Sequence, residues 1–145
     1  MQAATELFAL LSTVDPTTSA SAVLTGDQID MADWREARFT MLVGAVTSTA
    51  TVALDIYGGA ASGTPSAVIT GKQSTTLTGT AASLLQVEIR VTAEEVAAQG
   101  YRYLTPYLTV GATAGTRIAM VGYGVHPRYG PADAQDISTV TEIIT

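Results

Sequence analysis

The sequence predicts an all-β fold, an antiparallel β-sandwich of the jelly-roll or a related Greek-key type. Three observations predict it. Several segments alternate apolar and polar residues with a period of two, turn residues separate them at short intervals, and strands do not alternate with long helices. Threonine, which suits the exposed face of a strand, occurs 23 times among the 145 residues. This length predicts a single domain, residues 1–145.

Three segments carry the strongest strand pattern. Residues 38–46 have apolar residues on both faces, which predicts a central strand buried on both sides. Residues 51–57 place Val52, Leu54 and Ile56 on one face. Residues 85–92 alternate without exception, with the apolar side chains at Leu85, Val87, Ile89 and Val91. Further strands are predicted at residues 67–73, 101–110 and 117–125.

A single short helix is predicted at residues 92–100. Thr92 and Glu95, three positions later, have the spacing of a capping box, and Gly100 is a typical C-terminal stop. The segment spans about two turns. It therefore predicts a connecting helix with no site of its own.

Both ends of the chain are predicted to be extended arms, residues 1–25 and 126–145, around a compact middle. One interpretation is that the arms are terminal strands that close their own sheet, and the other is that they pack on neighbouring subunits. The first residues lack the basic start and long apolar run of a signal peptide. The apolar arm residues predicted to bind a partner are Leu7, Phe8, Leu10, Leu11, Ile143 and Ile144.

The composition argues against several classes of partner and cofactor. Seven basic and 13 acidic residues give a net charge of −6, which disfavours binding to nucleic acid or to an anionic membrane. The chain contains no cysteine, which excludes disulfides, thiol nucleophiles and cysteine-based metal sites. We therefore expect no cofactor and no metal.

The sequence offers little support for catalysis. His126 is the only histidine, and no Gly-x-Ser-x-Gly motif is present, so the interpretation of His126 as a surface or interface residue is favoured. Asp27, Asp30 and Asp33 lie three residues apart, without the glycine and the terminal glutamate of a calcium loop, and predict a turn. We expect no catalytic residue and no enzymatic activity.

Aromatic residues mark one strand. Tyr101, Tyr103 and Tyr107 alternate with aliphatic residues and are predicted to form a stripe on one face. Pro106 cannot donate a ladder hydrogen bond, which predicts an edge strand or a bulge. The stripe is compatible with a core covered by the second sheet, with a subunit interface, or with a platform on which sugars stack.

Short motifs across residues 25–135 resemble small structural proteins encoded in the head modules of tailed phages and prophages. The motifs are the aspartate-rich turn before Trp34-Arg35, the strand start Tyr101-Arg102-Tyr103, and the segment Pro127-Arg128-Tyr129-Gly130-Pro131. None of these motifs is tied to a reaction. The resemblance implies a capsid decoration or cement protein, a non-enzymatic β-sandwich that binds the lattice of the major capsid protein and stabilises the head.

The resemblance also implies partners and a location. The partners are the major capsid protein and further copies of this chain, with a trimer favoured over a dimer, and the location is the head surface of a virion assembled in the host cytoplasm. Position alone adds two further groups to the predicted partner-binding residues. These are the tyrosines Tyr101, Tyr103 and Tyr107, and the residues His126, Arg128 and Tyr129. The alternatives are another virion part (tail-tube, tail-terminator or head-closure protein) or a carbohydrate-binding module of a tail fibre.

Overall fold

The computed structural model describes residues 7–46, 49–79, 84–111 and 115–129. Within these ranges the chain forms ten strands and one short helix. The strands build two antiparallel sheets that share one hydrophobic core. The predicted all-β sandwich is therefore confirmed.

The first sheet contains four strands, and the strand nearest the end of the chain lies inside it. In spatial order they are β1 (Phe8–Ser19), β10 (Thr116–Pro127), β4 (Trp34–Val43) and β8 (Gln86–Thr92). The antiparallel register places Met120 opposite Met41, and Phe39 opposite Ile89. Strand β10 thus pairs with the first strand of the chain on one side and with β4 on the other.

The second sheet has interrupted strands at both edges. One edge consists of β2 (Ala22–Thr25) and β3 (Ile29–Asp30), which both pair with β9 (Tyr103–Gly111). β9 pairs in turn with β5 (Thr51–Gly59). The other edge consists of β6 (Ala67–Gln73) and β7 (Leu77–Thr78), which both pair with β5. Counting each interrupted edge as one strand gives two four-stranded sheets. The resulting strand order is that of a jelly roll.

The inner faces of the two sheets follow the period-two pattern. In β4 the buried residues Phe39 and Met41 alternate with the exposed Arg38 and Leu42. The largest side chains with almost no exposed surface come from both sheets and include Phe39, Met41, Leu54, Ile56, Leu104, Leu108 and Met120. Burial of this apolar surface holds the sheets together.

The helix α1 (Ala93–Ala98) joins the first sheet to the second, between β8 and β9. Thr92 is its N-cap: the Thr92 hydroxyl accepts a bond from the Glu95 N–H at 3.4 Å, and the Glu95 carboxylate accepts one from the Thr92 N–H at 2.8 Å. Gly100, with φ of +76°, follows the last turn. The predicted capping box and glycine stop are both present.

In the N-terminal arm predicted over residues 1–25, residues 8–19 and 22–25 form β1 and β2, which agrees with the interpretation of the arm as a terminal strand of its own sheet. β1 pairs with β10 along its length, and two register shifts interrupt the pairing. Such bulges disturb the alternation that identifies a strand in sequence. Of the predicted C-terminal arm, residues 126–127 end β10, and residues 130–145 lie outside the described residues.

Two further expectations about strands need correction. Residues 38–46 were expected to be buried on both faces, but β4 exposes Arg38 and Leu42 on its outer face. Pro106 was expected on an edge strand or bulge, but β9 lies between β5 and the interrupted edge. The Pro106 carbonyl accepts a hydrogen bond from the Gly26 N–H at 3.0 Å, so the nitrogen of Pro106 also faces the gap between β2 and β3. The lack of an N–H on Pro106 therefore removes no hydrogen bond of the ladder.

Candidate functional site

The outer face of the first sheet carries a continuous group of apolar side chains, which we name the apolar strip. It arises because every second residue of β1 and β10 points away from the core. Phe8 and Leu42 expose 45% and 40% of their surface, and the others are half-buried. The strip consists of Phe8, Leu10, Leu42, Ala119, Val121, Tyr123 and Val125.

One end of the apolar strip has a defined shape. The rings of Phe8 and Tyr123 meet edge to face, with centroids 6.4 Å apart. These two rings, together with Val125 and Arg38, line a shallow cavity of about 320 Å³. An apolar side chain of a partner would fit into this cavity on the outer face of the sheet.

Charged residues of β4 and β8 border the apolar strip. Burial alone would raise the pKa of the Glu36 carboxyl, but hydrogen bonds from Arg38 and Arg90 outweigh burial and hold that pKa below its usual value. The two Arg–Glu36 distances are 2.5 and 2.6 Å. Arg38 also lies 3.9 Å from Glu88. The strip therefore has the polar rim that protein interfaces commonly show.

The outer face of the second sheet carries tyrosines from two strands. Tyr57 of β5 and Tyr107 of β9 pack edge to face, with centroids 4.7 Å apart. The guanidinium of Arg102 lies 5.1 Å from the centre of the Tyr103 ring, a distance at which the cation and the ring attract. Tyr103 and Tyr107 of the predicted stripe therefore share one face.

Tyr101 does not belong to this face, contrary to the predicted stripe. It precedes β9 and packs, partly buried, against the core. Its ring lies so close to Gly58 that a side chain there would overlap it. Tyr57 takes its place beside Tyr107, a pairing that the alternation within β5 permits but that only the cross-strand register reveals.

Asp55 lies on the same outer face, opposite Tyr107 in the ladder. Burial raises the pKa of the Asp55 carboxyl. Its carboxylate makes no hydrogen bond or ion pair with the residues that the structure describes. A carboxylate in this state is available to a ligand that donates hydrogen bonds beside the tyrosine rings.

The other predicted partner-binding residues lie in different places. Leu7 accepts a bond from the His126 N–H through its carbonyl, at 2.7 Å, and Leu11 points inward at Gly124. His126, Arg128 and Tyr129 are exposed at the end of β10. Ile143 and Ile144 lie outside the described residues. The structure thus gathers Phe8 and Leu10 on one sheet and two predicted tyrosines on the other.

The predicted aspartate turn has a structural role. Asp30 accepts hydrogen bonds from the Ala32 N–H and the Arg102 guanidinium, and Asp27 accepts one from the Thr13 N–H. Among the described ranges, no three His, Asp or Glu side chains come together as metal ligands. The helix that the structure describes is too short to cross a membrane.

Comparisons with known proteins give one kind of similarity. No protein-family model matches the chain, and no curated protein matches it. Similar solved structures include a protein of Bacillus endospore appendages, described as a novel family of disulfide-linked pili, at 16% sequence identity and a TM-score of 0.41. The match covers 87% of this chain and 96% of the pilus protein. At this level of similarity it adds no argument about function.

Proposed function

We propose that the chain is a non-enzymatic virion structural protein, a capsid decoration or cement protein that binds the major capsid protein lattice and stabilises the head. The apolar strip on the first sheet carries the proposal. Contiguous apolar surface on a small protein marks an interaction site. The resemblance of residues 25–135 to phage head-module proteins supplies the capsid as the partner.

The chemistry of the strip fits attachment to another protein. The strip holds aliphatic side chains, with the aromatic rings of Phe8 and Tyr123 at one end, and its border holds the ion pairs of Glu36 and Arg38. Aromatic anchors in a desolvated centre supply most of the free energy of binding, whereas a charged rim fixes orientation. Phe8 and Tyr123 are the anchors expected to contribute most.

A sedimentation assay tests the proposal. The chain is mixed with empty capsids assembled from the major capsid protein of the same virus, and its co-sedimentation is measured. Val121→Thr with Val125→Thr keeps the shape of the strip while making it polar, and should weaken binding about tenfold. Val23→Thr, at a valine that is 57% exposed on the second sheet, is the matched control. Absence of capsid binding by the unchanged chain, or equal binding of both variants, would overturn the proposal.

The oligomeric state separates the proposal from the other virion roles. Light scattering at several concentrations should give a trimer or a dimer for a decoration protein, with the trimer favoured. A hexamer or a larger ring would favour a tail-tube, tail-terminator or head-closure protein. A strict monomer would raise the weight of the carbohydrate-binding alternative.

One observation favours that alternative, a carbohydrate-binding module. The paired rings of Tyr57 and Tyr107 stand beside the carboxylate of Asp55, which has no partner among the residues that the structure describes. Sugars stack their apolar faces on aromatic rings and donate hydroxyl hydrogen bonds to carboxylates. A glycan array should then show binding that Tyr107→Ala abolishes and that the strip variant Val121→Thr retains. The reverse result would assign binding to the first sheet.

A further inference from the structure

A groove of about 570 Å³ lies at one end of the first sheet, where β4 begins and β8 and β10 end. Three of the seven basic residues of the chain line it, together with the only histidine. These residues are Arg35, Arg90, Arg128 and His126. In a chain with a net charge of −6, this is a marked concentration of cationic side chains.

The three arginines differ in what they already bind. Arg90 is paired with Glu36 at 2.6 Å. Arg128 uses its Nε to donate to the carbonyl of Trp34 at 3.3 Å, and Arg35 is exposed. Neither Arg35 nor Arg128 has a carboxylate partner among the residues that the structure describes. Within the described part of the chain, two guanidinium groups therefore face the groove without a carboxylate partner.

The backbone holds Arg128 in place at a cost. His126 has a φ of +55°, a left-handed conformation that is uncommon for residues other than glycine. The His126 N–H donates to the Leu7 carbonyl at 2.7 Å, and the Arg128 N–H donates to the Asp33 carbonyl at 2.8 Å. These two bonds fix the chain on either side of Pro127, so Arg128 is presented to the groove by an ordered backbone.

The charges within the groove leave a positive balance. Glu36 is neutralised by Arg38 and Arg90, and Glu94 is exposed at the border. Arg35 and Arg128 outnumber Glu94, so the free charge of the groove is opposite in sign to that of the whole chain. An anionic ligand would therefore be attracted to this place.

We propose that this groove binds the carboxylates of an acidic peptide segment on a partner protein. A guanidinium presents two parallel N–H donors that match the geometry of one carboxylate, and the Arg90–Glu36 pair, in contact through one nitrogen at 2.6 Å, already places a carboxylate beside an arginine in this groove. A polyanion such as DNA fits less well, because it needs many cations and would meet the acidic surface beyond the groove. The inference goes beyond the proposed virion role and does not depend on the identity of the partner.

A peptide titration tests the inference on the full chain. Hexaglutamate is added at low salt, and binding is followed by calorimetry and by NMR shifts of the amides around Arg35 and Arg128. Arg35→Ala removes no contact within the described structure, and we expect it to weaken binding about fivefold. Arg117→Ala, an exposed arginine at the far end of β10, should leave the affinity unchanged.

The controls separate carboxylate recognition from general charge attraction. Hexaglutamine should not bind, and inorganic phosphate and a short DNA duplex should bind more weakly than hexaglutamate. Failure of hexaglutamate to bind at millimolar concentration, equal losses for Arg35→Ala and Arg117→Ala, or tighter binding of phosphate or DNA would each overturn the inference. The capsid assay is independent of all these results, so the two proposals can fail separately.

Discussion

Arg102 holds Asp30 through two of its nitrogens, with Nη2 2.6 Å from Oδ2 and Nε 2.8 Å from Oδ1. The pair joins the last residue of β3 to the residue that precedes β9. The hydrogen bond from Arg102 lowers the pKa of the Asp30 carboxyl against the opposing effect of burial, and the Ala32 N–H adds to the lowering. The folded state is therefore stabilised when Asp30 is ionised.

This pair predicts a pH-dependent contribution to stability. Because the pKa of Asp30 is lower in the folded chain than in the unfolded chain, the stabilisation is present above the unfolded pKa and disappears as the pH falls through the folded value. Asp30→Asn should lower the free energy of unfolding by about 0.5–1 kcal/mol at pH 7 and by less at about pH 3, where the carboxyl of the unfolded chain is mostly protonated. Urea unfolding at the two pH values measures both losses of stability, with Asp33→Asn as the control. Equal losses at the two pH values would contradict the predicted pH dependence.

The close contact between Gly124 and Trp34 predicts that a larger residue at position 124 destabilises the core. A Cβ at Gly124 would overlap the Trp34 ring and the Leu11 side chain. We expect Gly124→Ala to cost about 1–3 kcal/mol of stability in thermal unfolding, because a well-packed core accommodates extra atoms only by shifting neighbours. Combining it with Trp34→Phe should cost less than the sum of the two single changes. Strict additivity would show that the two residues do not collide.

The capping box predicts the stability of the connecting helix. Thr92→Ala removes the hydroxyl that accepts from the Glu95 N–H, and should cost about 1 kcal/mol. Thr92→Ser keeps a hydroxyl at the same position and should recover most of the loss. Chemical denaturation of the two variants gives the comparison. A serine variant as unstable as the alanine variant would mean that the side-chain methyl, rather than the cap, is responsible.

Replacing a buried hydroxyl that has no hydrogen bond in the described structure should raise the stability of the fold. The side-chain oxygens of Ser12 and Thr116 are buried without a hydrogen-bond partner in the described structure. Thr116→Val replaces the hydroxyl with a methyl of similar size, and should raise the free energy of unfolding by about 1 kcal/mol. Thr109→Val, at an exposed threonine of β9, controls for β-propensity. A destabilised Thr116→Val variant would indicate that the hydroxyl is bonded in solution.

Truncation distinguishes strand from arm at the start of the chain. Deleting residues 1–12 removes the first part of β1, including the buried Ala9 and Ser12, and should destabilise the sandwich. A chain that lacks residues 1–6 keeps all of β1 and is the form for comparison. Circular dichroism melting of both forms provides the test. If the longer deletion melts at the same temperature, β1 is dispensable to the fold.

Local patterns in the sequence were sufficient for most of the sandwich. Residues 67–73 coincide with β6, and the capping box at Thr92 lies where it was predicted. These features depend on neighbours in sequence, through alternation or through hydrogen bonds within one turn. The fold class follows from such local signals because each strand needs an apolar face.

Features that depend on cross-strand register could not be predicted. The apolar strip combines residues of β1, β4 and β10, and the bulges of β1 conceal its alternation. The position of Tyr57, rather than Tyr101, beside Tyr107 likewise follows from the pairing of β5 with β9. The arginine groove joins residues almost a hundred positions apart, which no spacing in sequence indicates.

Two of the four strands that lie inside the sheets, β9 and β10, are the last of the described strands to leave the ribosome. Until residue 111 emerges, β2 and β5 lack the partner that lies between them, and until residue 127 emerges, β1 cannot join β4 through β10. Pairing strands that lie far apart in sequence is slow, and the unpaired edges of β1, β2, β4 and β5 are meanwhile prone to wrong pairing. Nascent chains should therefore stay sensitive to proteases until residue 127 has emerged, and then become resistant in a single step.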